Sequence, residues 1–167
     1  MSEVTNRKVF QILVDNNSGV LSRISGLFSR RGYNIESITA GVTAEPTITR
    51  ITVVTSGDND IMEQIEKQLN KKLDVIKVKT FDETESINRE LMLVKVRYNR
   101  SNRKDIMENC EIMAAKIVDM SKTMMTIQMC DTPERVQIFL DTLRTVSIIE
   151  IARTGALALL KCSEQGK

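Results

Sequence analysis

Apolar and polar positions along the chain alternate between two periods. Val9 to Asp15 (VFQILVD) is an apolar-rich run ended by Asn16-Asn17-Ser18-Gly19, which predicts a strand followed by a turn. From Val20 the apolar positions Val20, Ile24, Leu27 and Phe28, with Leu21 beside them, follow helical spacing. Gly32 ends that stripe just after Arg30 and Arg31, a basic last turn suited to the helix dipole. Residues 33–42 and 47–55 are rich in β-branched side chains and are joined by Ala44-Glu45-Pro46, so they predict a hairpin. Asp60 and Glu63 have capping-box spacing, and Ile61, Ile65 and Leu69, with Met62 and Leu73, form the stripe behind it. Val75, Ile76, Val78 and Phe81 supply a last short strand.

Asp82-Glu83-Thr84-Glu85-Ser86 is a polar, acidic break and the best linker. After it the same order returns. Residues 91–98 predict a strand. Ile106, Cys110, Met113 and Ala114 mark a helical face with Ser101 as its cap, and Ile117-Val118 and 124–129 give two more strands. Thr132-Pro133 is a helix start, because proline at the first helical position gives up no needed hydrogen bond. Val136, Phe139, Leu140, Leu143 and Val146 follow at helical spacing, and 148–152 with 157–160 close the pattern. The chain therefore reads as α+β: two ferredoxin-like βαββαβ units, at 1–82 and 83–167. Helices on one face leave each sheet with a bare face and open edges, which predicts at least a homodimer with edge-to-edge pairing.

Composition narrows the chemistry. The 167 residues include no histidine, which excludes Ser-His-Asp and Cys-His nucleophilic centres, the HExxH motif and imidazole zinc sites. No tryptophan and only six other aromatics leave little for stacking on bases. Twenty-four basic and 22 acidic side chains leave a formal charge of +2, too balanced for a polyanion binder held by charge alone. Cys110, Cys130 and Cys162 lie far apart and read as free thiols. The methionines, including Met120, Met124, Met125 and Met129, read as core filler. No run is long enough for a membrane span, and the first residues lack a signal peptide's apolar segment, so the reading is cytoplasmic.

The densest polar signal is Asp15 to Arg23, at the junction of the first strand and helix. The first amides of a helix lack internal partners and carry partial positive charge, so they suit a carboxylate or phosphate. Gly19, without a side chain, lets an anion approach the backbone, and Asn16 or Asp15 can hold an ammonium group beside it. A plain turn and helix cap would use the same residues.

Residues 15–54 resemble the start of the regulatory small subunit of acetohydroxyacid (acetolactate) synthase, whose first unit is an ACT domain. The resemblance continues through RRGYNIES (30–37), EQIEKQLNKKLDVIKV (63–78), RELMLVKV (89–96) and IIEIARTG (148–155). It implies a non-catalytic chain that binds the catalytic large subunit, raises its activity and confers feedback inhibition by valine or a related branched-chain amino acid. It implies no cofactor here, with thiamine diphosphate, FAD and magnesium in the partner. It places the effector between paired ACT domains, against the loop holding Asn16 and Gly19 of one copy and Asn34 and Ile35 of the other; Val20, beside Gly19, can join Ile35 as an apolar wall. The second unit is then the part that contacts the catalytic subunit.

Two other classes compete. A stand-alone acyl-phosphate hydrolase on this scaffold needs only an arginine and an asparagine, such as Arg23 or Arg50 with Asn16, but its phosphate-cradle motif is absent. An RNA-recognition module shares the topology, yet the central strands lack aromatic platforms.

Overall fold

In the computed structural model, which describes residues 6–57, 59–82 and 85–162, the first strand already sorts its side chains to two faces. Along β1 (Asn6–Asp15), Phe10, Ile12 and Val14 are buried on one side and Val9 and Gln11 on the other. The remaining elements are α1 (Val20–Arg30), β2 (Ile35–Val42), β3 (Ile48–Gly57), α2 (Asn59–Leu69), β4 (Val75–Asp82), β5 (Ser86–Arg97), α3 (Arg103–Ile112), β6 (Lys116–Met120), β7 (Met124–Asp131), α4 (Pro133–Thr142), β8 (Ser147–Arg153) and β9 (Leu157–Leu160). The sheets run β2-β3-β1-β4 and β6-β7-β5-β8, antiparallel throughout, which is the strand order of two ferredoxin-like units.

Residues up to Ile87, together with those from Ala156 onward, form the first compact unit, and Asn88–Gly155 form the second. In the first, Phe10, Ile12 and Val14 meet Val20, Ile24, Leu27 and Phe28 of α1 and Met62, Ile65 and Leu69 of α2. Phe10 and Phe28 pack edge to face with centroids 6.1 Å apart. The opposite face carries a smaller apolar cluster, in which Val9, Val54 and Phe81 pack against Ala156 and Ala158. Gln11 Nε2 donates to the Ala158 carbonyl, Thr39 Oγ1 to that of Ala156, and the Lys161 amide to that of Glu85. In the second unit, Met92, Val94 and Val96 of β5 and Met125, Ile127 and Met129 of β7 pack under Ile106, Cys110, Val136, Phe139 and Leu143.

Several local expectations change. The C-terminal residues 157–160 join the second sheet only as a branch: β8 is the fourth strand of its main path, β9 pairs with β5 as the fifth, and Ala156 and Ala158 pack with Val9, Val54 and Phe81 of the first unit. Where the sequence divides the chain at 82/83, the units meet at 87/88, and Ser86 is a buried strand residue rather than linker; Glu83 and Thr84 lie outside the described residues. Asp60 sits inside α2 and does not cap it, and Leu73 is fully exposed because the helix has ended four residues earlier. Asn102, not Ser101, precedes α3; Asn99 Oδ1 accepts from the amides of both Ser101 and Asn102. Met113 and Ala114 follow that helix, with Ala114 at φ 55°. Of the four methionines named above, Met125 and Met129 are core, whereas Met120 and Met124 stand well exposed.

Candidate functional site

The loop after β1 is tied down from three sides. The Asp15 amide donates to the Asp74 carbonyl, the Asn16 amide to Thr47 O, and the Asn17 amide back to Asp15 O. The Asn16 side chain is already engaged: Nδ2 donates to Pro46 O at 3.0 Å and Oδ1 accepts from Thr49 Oγ1 at 3.1 Å. Its role is therefore to fasten the loop to the β2–β3 connection, with one amide hydrogen left over. Gly19 follows at φ +80°, a left-handed conformation that glycine adopts without steric cost. It stands at the N-cap of α1 with no side chain to cap it. Among the described residues the amides of Leu21 and Ser22 have no acceptor, so the first turn keeps its anion-seeking character. Val20 is buried in the core and anchors that turn.

Arg23, which the sequence reads as part of a solvated basic face, stands over this loop. Its Nε and Nη2 donate to the two carboxylate oxygens of Asp74 at 2.8 and 2.9 Å. Its Nη1 lies 3.2 Å from the place where a Cβ on Gly19 would be. A fixed guanidinium thus faces the exposed amides across a glycine. Only the fold brings Arg23 and Asp74 together, 51 residues apart.

The other two predicted residues sit at the far end of the same helix. Arg31, Gly32 and Tyr33 close α1 in a Schellman motif: Gly32 N–H donates to Ser29 O and Tyr33 N–H to Phe28 O, with Gly32 at φ +72°. Tyr33 packs on the core, which swings Asn34 outward and starts β2 at Ile35. Asn34 is exposed, its carbonyl accepting from the buried Thr55 hydroxyl at 2.6 Å, and Ile35 is half-buried. Ile35 pairs with Thr55, which pairs with Lys8, whereas Asn16 follows Asp15. Seven strand steps separate the two ends, about 23 Å at 3.3–3.4 Å per residue. Within one chain the structure brings Asn16, Gly19, Val20 and Arg23 together and keeps Asn34 and Ile35 apart from them.

Three groups in the second unit have shifted titration. Burial pushes the Cys110 thiol up, which fits a core residue. Burial also acts to raise Asp131, but the Thr132 amide, the Arg135 hydrogen bond and the charges of Arg135 and Arg89 outweigh it and hold the carboxyl below its usual value. Glu90, almost fully buried, accepts both hydrogen bonds of a bidentate pair with Arg153, each 2.8 Å, and raises the arginine further. Among the described residues no cluster of three His, Cys, Asp or Glu side chains could hold a metal ion, and no helix is long and apolar enough to cross a membrane.

Residues 10–77 match the family model for the small-subunit-like ACT domain of acetohydroxyacid synthase, and residues 89–162 match the model for the small subunit of acetolactate synthase. The chain belongs to the acetolactate synthase small-subunit family. The isozyme 3 small subunits of Salmonella typhimurium and Escherichia coli are 43% and 42% identical to it, each over 92% of this chain and 94% of the relative. The acetolactate synthase small subunit of Mycolicibacterium smegmatis is 41% identical over 95% of this chain and 94% of its own. The crystal structure of the small subunit from Thermotoga maritima superposes with a TM-score of 0.89 at 34% identity, covering 95% of this chain and 99% of that one. Membership makes this chain a regulatory subunit of an enzyme complex rather than a catalyst, and the acyl-phosphate hydrolase reading finds no support. In the structure the proposed pair is not even a pair: Arg23 is committed to Asp74, Arg50 lies on the sheet face away from the helices, and Asn16 fastens a loop.

Proposed function

We propose that this chain acts in the cytoplasm on a catalytic large subunit of acetolactate synthase, raises its activity, and transmits inhibition by valine or a related branched-chain amino acid. The pyruvate-condensing chemistry, with thiamine diphosphate, FAD and magnesium, belongs to that partner. The effector site is built across a homodimer from Asn16, Gly19 and Val20 of one protomer and Asn34 and Ile35 of the other. In this arrangement 1–82 carries the ACT sensing function and 83–167 the contact with the catalytic subunit.

The observation that carries this reading is the separation of the two half-sites by the length of β1 while β2 is left as an edge strand. A two-fold axis pairing β2 with its copy runs the strands antiparallel. The start of the second β2, with Asn34 and Ile35, then comes beside the end of the first, at Val42. Val42 pairs with Thr49, which holds Asn16. One dimerisation step thus joins what a monomer keeps apart. The exposed α1 amides and Arg23 Nη1 would take the effector carboxylate, and Asn34 its ammonium group. A valine-sized ligand of about eight heavy atoms needs only roughly 5–8 kcal/mol to work as a micromolar-to-millimolar sensor.

Mixed dimers test the shared site directly. Gly19→Asp and Asn34→Ala homodimers should each lose valine binding by calorimetry while still activating the catalytic subunit. A heterodimer of the two variants contains one intact site and one doubly altered site. It should regain binding at half the wild-type stoichiometry. If it binds no valine, or if either homodimer binds it normally, the split site is wrong.

A further inference from the structure

The sheet of the first unit has a second polar feature, on the face turned away from its helices. Strand register places Arg50 of β3, Leu13 of β1 and Lys77 of β4 in one row across that face. Thr39, Thr52, Gln11 and Lys79 form the next row. Gln11, Leu13, Arg50, Lys77 and Lys79 line a recess of about 130 Å³.

Three cations share this recess, and among the described residues none of them makes an ion pair. Asp15, the next residue of β1 on this face, bonds to none of them. Arg50 Nε is buried without a hydrogen-bond partner, and so is the Thr52 hydroxyl beside it, in a residue only 1% exposed. Unpartnered buried donors are costly, and like charges gathered on one face repel, so the arrangement is unfavourable when empty. Gln11 is held by the Ala158 carbonyl, which fixes one wall.

We propose that this recess binds a phosphoryl group, free or as a monoester, through Arg50, Lys77 and Lys79. A phosphate carries about 1.5 to 2 negative charges near neutral pH and three strong acceptor oxygens. Those oxygens match the planar donors of Arg50 and the two lysine ammonium groups better than a monoanion does. The recess has room for one such group and lies on a different face from the α1 amides, so this site is independent of the effector site.

The full chain, titrated with inorganic phosphate at constant ionic strength, tests this by amide NMR. Saturable shifts should appear at Arg50 Nε–H and at the Gln11 side-chain amide. The double variant K77Q/K79Q, altered only at exposed positions, should keep its fold by spectrum and bind at least tenfold more weakly. Glycerol phosphate in a parallel titration identifies the source: equal or tighter binding points to an ester, weaker binding to the free ion. Arg50→Lys should retain partial affinity. An unmoved Arg50 Nε–H at millimolar phosphate, the same shifts with chloride alone, or unchanged affinity in K77Q/K79Q would overturn the proposal.

Discussion

Gly19 answers two demands that no other residue meets together. Its backbone is left-handed, where an L side chain costs roughly 1–2 kcal/mol, and its missing Cβ leaves Arg23 Nη1 facing the α1 amides. Aspartate there would set a carboxylate against Arg23, an internal substitute for the effector's own, so valine inhibition should vanish with little loss of folding. Arg23→Gln should weaken valine binding by about tenfold or more, since hydrogen bonds to charged groups are worth roughly 1.5–3 kcal/mol. Calorimetry with valine and with its amide separates the cases: wild type should prefer the acid, and the glutamine variant should lose that preference. Gly19, Asn16 and Asn34 are visible in the sequence because turn residues advertise themselves locally. Arg23 is not, because what distinguishes it from Arg30 or Arg31 is a carboxylate 51 positions away. Asn16 is visible too, but its bonds to Pro46 and Thr49, which fasten the loop, are not.

Among the elements, α4 shows the caps most completely. Thr132 Oγ1 accepts from the Arg135 amide, Pro133 opens the first turn, and Asp131 accepts from both the Thr132 amide and Arg135. Thr132→Ala should cost about 1 kcal/mol in denaturant unfolding. Asp131 has a lowered folded-state pKa, so it stabilises the protein above its unfolded value of about 3.9 and loses that contribution as pH falls below it. Thermal melts should therefore show the gap between wild type and Asp131→Asn at pH 7 and a progressively smaller one as the pH falls below the unfolded value. Phe139→Ala, at a side chain with no exposure, should cost about 3–5 kcal/mol. Strongly periodic segments such as α1 and α4 read correctly in type, since burial follows their spacing, although Leu143 and Val146 lie past the end of α4 at Thr142. Leu73 misleads because apolar character alone cannot say that the helix stops at Leu69. The Asp60 capping box fails for a related reason: the spacing is valid, but Asp60 is already the second residue of α2.

At the scale of the molecule, two repeats of the same topology are legible from order alone, and the destination of the last strand is not. Ala156 and Ala158 offer small side chains that suit close packing on Val9, Val54 and Phe81, but nothing local says which sheet they will meet. Ending the chain at Gly155 should destabilise the first unit more than the second. Hydrogen exchange should show it as lost protection at Val9 and Val54 with β7 amides unchanged. Protein synthesis proceeds from the N-terminus, so β1 to β4 are made well before the residues that cover them. The first unit therefore stays open on one face until Ala156 and Ala158 have been made, and a chain terminated before them leaves Val9, Val54 and Phe81 without their cover.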